Sequence, residues 1–429
     1  MHPLKTLLDQ RHESNLKGIV SICTASPMVI EACFDYYKNI QSPLIIEATA
    51  NQVNQEGGYT GMKPQDYVDF VYKLAKENNF PLDRLFLGGD HLGPLTWSKL
   101  NEQDAMNKAE VLVHDFVLAG FTKIHLDTSM HLADDGKVLL TETIAQRGIR
   151  LMKVCENAYQ KRLENHPNSL MPVYIIGSEV PIPGGAQEVE EGLEVTKVTD
   201  FKHTVEVYFD LMKKEGLESV FDRVLAVVVQ PGVEFSDASV HEYNPIKAKD
   251  LVDSLKGYPS LVFEGHSTDY QTKFGLRNMV NDNISILKVG PALTFALREG
   301  LFALAHIEEA WVDESKQSHL IELLEKVMLE KPGNWSKHYH GNEHDLWIKR
   351  KYSFSDRSRY YMPDTRIEDS IKTLFGNTKD VPYSLLSQYM PIQYRKVREG
   401  LLPYSPESWV KDVVCEVLSD YIYAVEKAK

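Results

Sequence analysis

The stretch "FLGGDHLGPLTW", residues 86–97, joins an apolar run to a glycine-rich bend that carries an acid and an imidazole side by side. The run is apolar throughout rather than alternating, which is typical of a parallel strand covered on both faces. Asp90 and His91 come where that strand would end. In α/β folds, catalytic side chains gather at the carboxyl ends of parallel strands. The stretch therefore indicates a parallel sheet with a functional site at its carboxyl edge.

Seven further runs of this kind lie along the chain, separated by segments of helical length. The eight runs cover residues 18–25, 43–49, 84–90, 123–129, 172–179, 223–230, 260–266 and 285–291. Eight strand–helix units predict an α/β fold, a (β/α)₈ TIM barrel over residues 1–310. A doubly wound open sheet is the alternative. It does not require eight strands, and "CTASPMV" replaces the glycine-rich dinucleotide loop that usually follows its first strand.

The pattern changes beyond residue 310. Residues 316–331 show a helical pattern, a polar and aromatic stretch follows, and several shorter helical segments continue to the end. We therefore expect residues 311–429 to form a mainly helical C-terminal extension that packs on the barrel, and not a second catalytic domain.

Charge and composition limit the classes of partner. The 429 residues include 47 Lys and Arg against 61 Asp and Glu, a formal net charge of −14. This net charge argues against nucleic acid as the main partner, because binding phosphate backbones requires clustered cations. The N-terminus lacks an apolar core of signal-peptide length, and no run approaches the ~20 apolar residues of a membrane helix. Together with four scattered cysteines, this predicts a cytoplasmic protein that does not enter membranes.

Polar side chains collect where the predicted strands end. These side chains are Glu47, Asn51, Asp90, His91, Asp127, Ser129, Glu179, Gln230, Glu264 and His266. Any one of them alone could be a helix cap or a loop hydrogen-bonder. Because the carboxyl ends of barrel strands meet at one rim, we expect them to converge there.

The Asp90–His91 pair combines two chemistries. Neutral imidazole is a good ligand for a divalent ion such as Zn²⁺, and the adjacent carboxylate could move a proton. The alternative is that Asp90 caps the next turn and His91 packs on Trp97. Glu264 and His266 fall on one face of an extended segment, so both could reach one ion; the alternative is a polar network without metal.

The stretch "LKVGPALTFALREG", residues 287–300, predicts a strand end followed by a helix start. Free backbone amides at such a start suit an anion, and the loops after strands 7 and 8 form the usual phosphate site of these barrels. A plain helix start is the alternative. The candidate phosphate and substrate residues are Asn51, Asp127, Ser129, Gly265, Ser267, Lys288, Gly290 and Thr294.

Two further features point toward the rim. Arg357 or Arg359 in "SDRSRYY" could reach a substrate anion, although salt-bridged surface arginines are the alternative. Tyr59, in the glycine-rich loop "EGGYTGM", is predicted to lie near the barrel mouth as part of a lid.

Several longer motifs resemble those of one protein family. They are "IEATANQVNQEGGYTGM", "GGDHLGPLTW", "IHLDTSM", "GSEVPIPGGA", "FEGHSTDYQ" and "KVGPALTFALREGLFAL". They resemble the GatZ/KbaZ family, the larger subunit of bacterial tagatose-1,6-bisphosphate aldolase, and the resemblance runs over almost the whole chain.

That family is similar to class II ketose-bisphosphate aldolases, which are zinc-dependent (β/α)₈ barrels. The similarity implies that Asp90 is the acid/base and that His91 binds Zn²⁺ or another divalent ion such as Mn²⁺ or Co²⁺. It also places Asp127 and Glu179 in the site, with Glu179 as a ligand or second base.

The sequence departs from the class II pattern at the metal ligands. Gln230 stands where a second zinc histidine follows the sixth strand, and Glu264 opens the segment that a third histidine would open. A set of His91, Glu179, Gln230 and Glu264 or His266 could still hold a metal. Aldol cleavage by this chain alone is therefore in doubt.

The resemblance implies two functions. The first is a subunit that supports the activity and stability of a shorter, catalytic, GatY/KbaY-like class II aldolase partner in galactitol or N-acetylgalactosamine breakdown, within an oligomer. The alternative is an autonomous metal-dependent C4-epimerase or aldolase of ketohexoses or their phosphates, working by retro-aldol chemistry with Asp90 as acid/base.

Overall fold

The computed structural model of the protein describes residues 1–178 and 193–426. Its core is a closed barrel of eight parallel strands, and a two-stranded antiparallel hairpin follows the sixth of them. The strands are β1 (Ile19–Cys23), β2 (Leu44–Thr49), β3 (Leu85–Leu92), β4 (Lys123–Leu126), β5 (Val173–Ile176), β6 (Val224–Val229), the hairpin strands β7 (Glu234–Phe235) and β8 (Val240–His241), β9 (Val262–Gly265) and β10 (Ile284–Val289).

The barrel closes because β1 pairs in parallel with both β2 and β10. Each of the eight apolar runs of the sequence overlaps one barrel strand, so the predicted (β/α)₈ class is confirmed and the open-sheet alternative is wrong. Strands that are buried on both faces explain why the runs are apolar throughout.

Helices surround the barrel and form the extension. Within the described residues they are α1 (Pro3–Asp9), α2 (Pro27–Tyr37), α3 (Pro64–Glu77), α4 (Glu102–Ala119), α5 (Thr141–Asn165), α6 (Val198–Lys214), α7 (Pro245–Ser254), α8 (Lys273–Asn281), α9 (Pro291–Trp311), α10 (Leu320–Glu330), α11 (Glu343–Tyr352), α12 (Thr365–Asn377), α13 (Tyr383–Tyr389), α14 (Pro391–Arg398) and α15 (Pro406–Val425). None of these helices is long and apolar enough to cross a membrane.

Helix α4 shows how local sequence sets the boundaries of an element. The Asn101 side chain accepts a hydrogen bond from the Asp104 amide, which caps the first turn. The helix ends at Gly120, whose φ of +111° is the left-handed conformation that glycine adopts without a Cβ clash.

The extension packs on the barrel along α15. The Lys17 amide, just before β1, donates to the Val425 carbonyl at 2.6 Å, and the Tyr421 hydroxyl donates to the Thr268 carbonyl at 2.8 Å. The predicted boundary after residue 310 falls at the last turn of α9 and stays a prediction.

Candidate functional site

A cavity of about 330 Å³ lies at the carboxyl end of the barrel. The predicted site residues that line it are Asn51, Asp90, His91, His266, Ser267, Lys288, Gly290 and Thr294. Residues of four barrel strands and of the extension therefore meet around one space, as expected for the functional rim of such a barrel.

Asp90 and His91 both line this cavity although they are neighbours on β3. Consecutive residues of a regular strand face opposite sides. Here His91 has a φ of +47°, and the pairing of β3 with β4 shifts register between Gly89 and Leu92. A bulge of this kind re-aims a side chain, so both groups reach the same space.

Three imidazoles form a triangle, which we call the histidine triangle: His91, His125 and His266. Two of them, His91 and His266, line the cavity. Their ring centroids are 4.9 to 5.0 Å apart. Ligand atoms of Asp90, His125 and His266 lie within 4.8 Å of one another. This grouping of nitrogen and oxygen donors suits a divalent ion such as Zn²⁺.

Asp127 and Ser129 orient His91. Asp127 Oδ2 lies 2.7 Å from His91 Nδ1, and Asp127 Oδ1 accepts hydrogen bonds from the Ser129 amide and hydroxyl. Because an ionised carboxylate only accepts, His91 Nδ1 carries a proton, so Nε2 is the nitrogen with the lone pair when the ring is neutral. Burial alone would raise the pKa of Asp127, but the hydrogen bond and charge of His91 hold it below its usual range. This is how proteins commonly orient a metal-binding histidine.

Glu264 orients His266 in the same way. Glu264 Oε1 lies 2.9 Å from His266 Nε2, which leaves the other ring nitrogen for a ligand. Burial, together with the charge of Lys288, lowers the pKa of His266 to about 3, so this ring is neutral at pH 7. A neutral imidazole is the form that binds a metal.

His125 was not predicted from the sequence, because it lies within an apolar run. Its Nδ1 lies 2.9 Å from Asp90 Oδ1 and 3.1 Å from the His91 amide nitrogen. Since one ring nitrogen cannot donate to a carboxylate and accept from an amide at once, only one of these two contacts is a hydrogen bond. Its Nε2 is buried without a hydrogen-bond partner among residues 1–178 and 193–426. His125 is thus a buried ring with unused ligand capacity.

Two lysines balance part of the buried acid below the triangle. Lys123 Nζ lies 2.7 Å from both Glu47 and Glu264, and all three side chains are fully buried. Lys288 Nζ contacts Asp90 and lies 3.1 Å from Glu47. Burial would raise the pKa of Asp90, but His91, Lys288 and His125 hold it well below its usual range.

The cluster carries a net negative charge. The four carboxylates Glu47, Asp90, Asp127 and Glu264 face the two ammonium groups of Lys123 and Lys288, which leaves a formal charge of two negative when the imidazoles are neutral. Uncompensated buried charge is unfavourable. Burial would lower the pKa of His91, but Asp90 and Asp127 raise it above its usual value. The site attracts positive charge, and its residues fit a divalent cation.

The start of α9 differs from the predicted phosphate site. The Gly290 and Ala292 amides donate to Asp269 Oδ1 at 2.9 and 2.8 Å. These N–H groups are therefore taken by a carboxylate of the chain itself, which was not predicted from the sequence. Lys288 turns toward Asp90, and Thr294 Oγ1 donates to Asp356.

Two other predicted residues lie apart from the cavity, and a third, Glu179, lies outside the described residues. A Cβ added at Gly265 would meet Ile284, so this glycine packs inside the barrel wall. Gln230 Oε1 accepts from the Gly232 and Val233 amides and holds its own turn, so the structure does not bring it to the triangle. The role of Glu179 therefore stays a prediction.

The extension supplies one wall of the cavity, including Arg359 and Tyr360. Tyr59 also lines the cavity, with its ring edge-on to Tyr360 at a centroid distance of 4.8 Å, so its predicted position at the mouth is confirmed. Asn51 accepts a hydrogen bond from the Thr96 hydroxyl beside it.

Comparison with known proteins shows the family and the fold of the chain. Residues 4–426 match the family model for the D-tagatose-1,6-bisphosphate aldolase subunit GatZ/KbaZ-like. The chain belongs to this family. Its fold is also that of a probable tagatose 6 phosphate kinase from Sinorhizobium meliloti 1021, at 41% sequence identity and a TM-score of 0.86. That match covers 95% of this chain and 100% of the other.

More distant likenesses to aldolase structures also exist. A putative fructose-1,6-biphosphate aldolase from Coccidioides immitis matches at 14% identity and a TM-score of 0.44, covering 87% of this chain and 97% of that one. A fructose-bisphosphate aldolase from Campylobacter jejuni matches at 14% identity and a TM-score of 0.43, covering 88% and 94%. Likenesses of this size do not bear on the activity of this GatZ/KbaZ-like chain.

Proposed function

We propose that this chain is itself an enzyme that performs retro-aldol and aldol chemistry on a ketohexose or its phosphate, as a C4-epimerase or an aldolase. The histidine triangle beside Asp90 carries this proposal, because it supplies three imidazoles where the sequence alone predicted only two in the site. The family description and the name of the Sinorhizobium protein both refer to tagatose phosphates, which supports a ketose as the substrate class.

In this proposal, different residues of the chain bind the metal and transfer the proton. His91, His125 and His266 would hold the divalent ion, zinc, manganese or cobalt, which when bound would polarise the substrate carbonyl. Asp90, kept ionised by Lys288 and the imidazoles, accepts the proton of the C4 hydroxyl. The C3–C4 bond then breaks, and its electron pair stays with the carbon next to the carbonyl.

The two reactions differ only after the C3–C4 bond has broken. Release of the aldehyde completes an aldolase reaction. Rotation of the aldehyde, renewed bond formation and return of the proton from Asp90 invert C4. We retain Glu179 as a further ligand or base in this proposal, and we place the reaction in the cytoplasm.

The second candidate is the partner role, favoured by the family description as a subunit. In that case the chain would bind and stabilise a shorter catalytic class II aldolase subunit. The two roles are compatible, because a subunit can keep a competent site.

Metal content and turnover of the purified chain test the proposal. The protein is loaded with Zn²⁺, Mn²⁺ or Co²⁺ and incubated with tagatose 1,6-bisphosphate, fructose 1,6-bisphosphate, fructose or tagatose. We expect turnover that falls about 10²- to 10⁴-fold in Asp90→Asn, the usual contribution of an acid/base. His125→Gln should lose bound metal, while His306→Gln, an exposed histidine on α9, should behave as the wild type. No metal and no turnover, with activation of an added catalytic subunit, would establish the partner role instead.

A further inference from the structure

Asp269 occupies the place where a barrel of this kind usually binds phosphate. Its carboxylate, 4% exposed, accepts the Gly290 and Ala292 amides at the start of α9 and lines the cavity. A substrate phosphate there would find both amides taken and would face a buried negative charge. Electrostatics and hydrogen bonding therefore both exclude a phosphate from this place.

The loop that carries Asp269 is held in this arrangement by the extension. Ser267 and Tyr270, on either side of it, have φ values of +53° and +64°, which few non-glycine residues adopt. The Tyr421 hydroxyl donates to the Thr268 carbonyl, and the Tyr270 hydroxyl donates to the Phe354 carbonyl. Because the extension fixes the loop on two sides, Asp269 cannot move away without breaking these contacts.

A guanidinium lines the same cavity from the extension. Arg359 Nη1 donates to the carbonyls of Ser355 and Asp356, and Nη2 donates to the Tyr360 hydroxyl at 2.9 Å. These acceptors are uncharged groups. The carboxylates of Asp356 and Asp269 act on the guanidinium charge, but no hydrogen bond joins either of them to Arg359 in the part of the chain that the structure describes. A guanidinium has five N–H groups, and within the described residues Nε–H and one Nη2–H remain for a ligand. Neighbouring donors of this kind suit a phosphate oxygen pair.

The anchor of Arg359 is itself rigid. Asp356 has a φ of +44° and accepts hydrogen bonds from Thr294, Arg298 and the Ser358 hydroxyl. Lys288, the other cation that lines the cavity within the described residues, has its ammonium group committed to Asp90 and Glu47. Arg359 is thus the cation positioned to meet a substrate anion.

We propose that Arg359 binds the phosphate monoester of the substrate, and that Asp269 directs the substrate's hydroxyl-bearing end to the start of α9. The phosphate site of this chain therefore lies in the wall built by the C-terminal extension, and not in the loops after the last two barrel strands. This inference rests on the proposed function only in taking a ketose phosphate as the ligand.

Binding measured without turnover tests the inference. Fructose, fructose 1-phosphate and fructose 6-phosphate are titrated calorimetrically into the Mn²⁺-loaded wild type, Arg359→Gln, Arg359→Lys and Asp269→Asn. The asparagine keeps an oxygen for the two amides, removes the charge and replaces the other carboxylate oxygen with an NH₂ group. We expect Arg359→Gln to weaken the better-bound phosphate at least about tenfold, with fructose changed less than about twofold, and Arg359→Lys to recover part of the loss.

Asp269→Asn should bind that phosphate as well as or better than the wild type. Equal weakening of fructose and its phosphates in Arg359→Gln would mean that the wall had merely loosened, and would overturn the inference. So would weaker phosphate binding in Asp269→Asn, or no phosphate preference in the wild type. Phosphate binding that depends on Arg359 in a chain without turnover would support the inference while refuting the proposed reaction.

Discussion

The two ends of the barrel interior are built by the same strands and have opposite chemistry. At the amino-terminal end, Ile45, Phe86 and Ile286 form an apolar layer that α1 closes with Leu4 and Leu8. Further along the same strands, the buried side chains are charged. These side chains are Glu47 on β2, Asp90 on β3, Lys123 on β4, Glu264 on β9 and Lys288 on β10.

Only two to four residues separate these layers on β2, β3 and β10. Because alternate residues of a strand share a face, Ile45 precedes Glu47 and Ile286 precedes Lys288 on the inner face. The apolar layer stabilises the fold by burial alone, because apolar side chains need no hydrogen-bond or charge partner. The charged layer is stable only while every acid has a cation or a donor. Packing that needs no polar partner therefore lies at one end of the barrel and the reactive groups at the other. A substitution at the apolar end should change stability alone, whereas one at the charged end should change metal binding as well.

The largest effect on stability is expected for Lys123→Met. Methionine has a similar length but removes the cation between Glu47 and Glu264, which then face each other in a fully buried place. Removing one partner of a buried ion pair costs about 3–5 kcal/mol. We expect a loss of this size in urea denaturation, together with weaker metal binding, because Glu264 orients His266.

The double variant Lys123→Met with Glu264→Gln is the matched control for this prediction. Removing one of the two acids should restore part of the stability but not the metal affinity. A single variant that is as stable as the wild type would show that the charged layer tolerates an unpaired acid, and the comparison between the ends would fail.

Local sequence patterns predicted much of this arrangement. Eight apolar runs located all eight barrel strands, since a strand that is buried on both faces has apolar residues along its whole length. The glycine-rich bend also placed Asp90 and His91 at the rim. His125 could have been found by counting two residues back from Asp127, because residues two apart on a strand share a face.

Other features of the site were beyond local patterns. Asp269 and Gly290 are 21 residues apart, and nothing in either segment shows that the carboxylate caps that particular helix. Gln230 was predicted as a ligand from its place after a strand, whereas its amide oxygen closes the turn to Gly232 and Val233. The sequence offered Arg357 or Arg359 for a substrate anion, and only the packing of the extension on the barrel decides that Arg359 lines the cavity.

A smaller loss is expected at the apolar end. Leu8 on α1 is 3% exposed, and Leu8→Ala removes buried methyl groups from the layer that closes the barrel. We expect a loss of about 2–3 kcal/mol, the low part of the range for such substitutions, because α1 can shift to fill part of the space. Metal affinity and turnover should be unchanged, which urea denaturation and an activity assay would show on the same sample. A loss of metal binding here would mean that the two ends are coupled.

At neutral pH the smallest effect is that of His2 on α1, and it becomes larger only as the pH falls. His2 caps this helix by accepting the Leu4 amide on Nδ1 at 3.2 Å, and burial together with the N-terminal amino group lowers its pKa from 6.5 to about 4. Between about pH 6.5 and 4, His2 is therefore protonated in the unfolded chain but not in the folded protein. The contribution of His2 to the free energy of unfolding is complete above pH 6.5. It decreases as the pH falls toward 4, by up to about 3 kcal/mol.

His2→Asn isolates this contribution, because asparagine is a good N-cap that does not titrate. The difference in unfolding free energy between wild type and variant should be nearly constant above pH 6.5 and should shift in favour of the variant as the pH falls to 4.5. The charged rim titrates in the same way in both proteins, so it cancels in this difference. Parallel pH profiles would show that the imidazole of His2 takes up its proton in the folded state. The apolar end of the barrel would then accommodate a charged side chain, contrary to the comparison between the two ends.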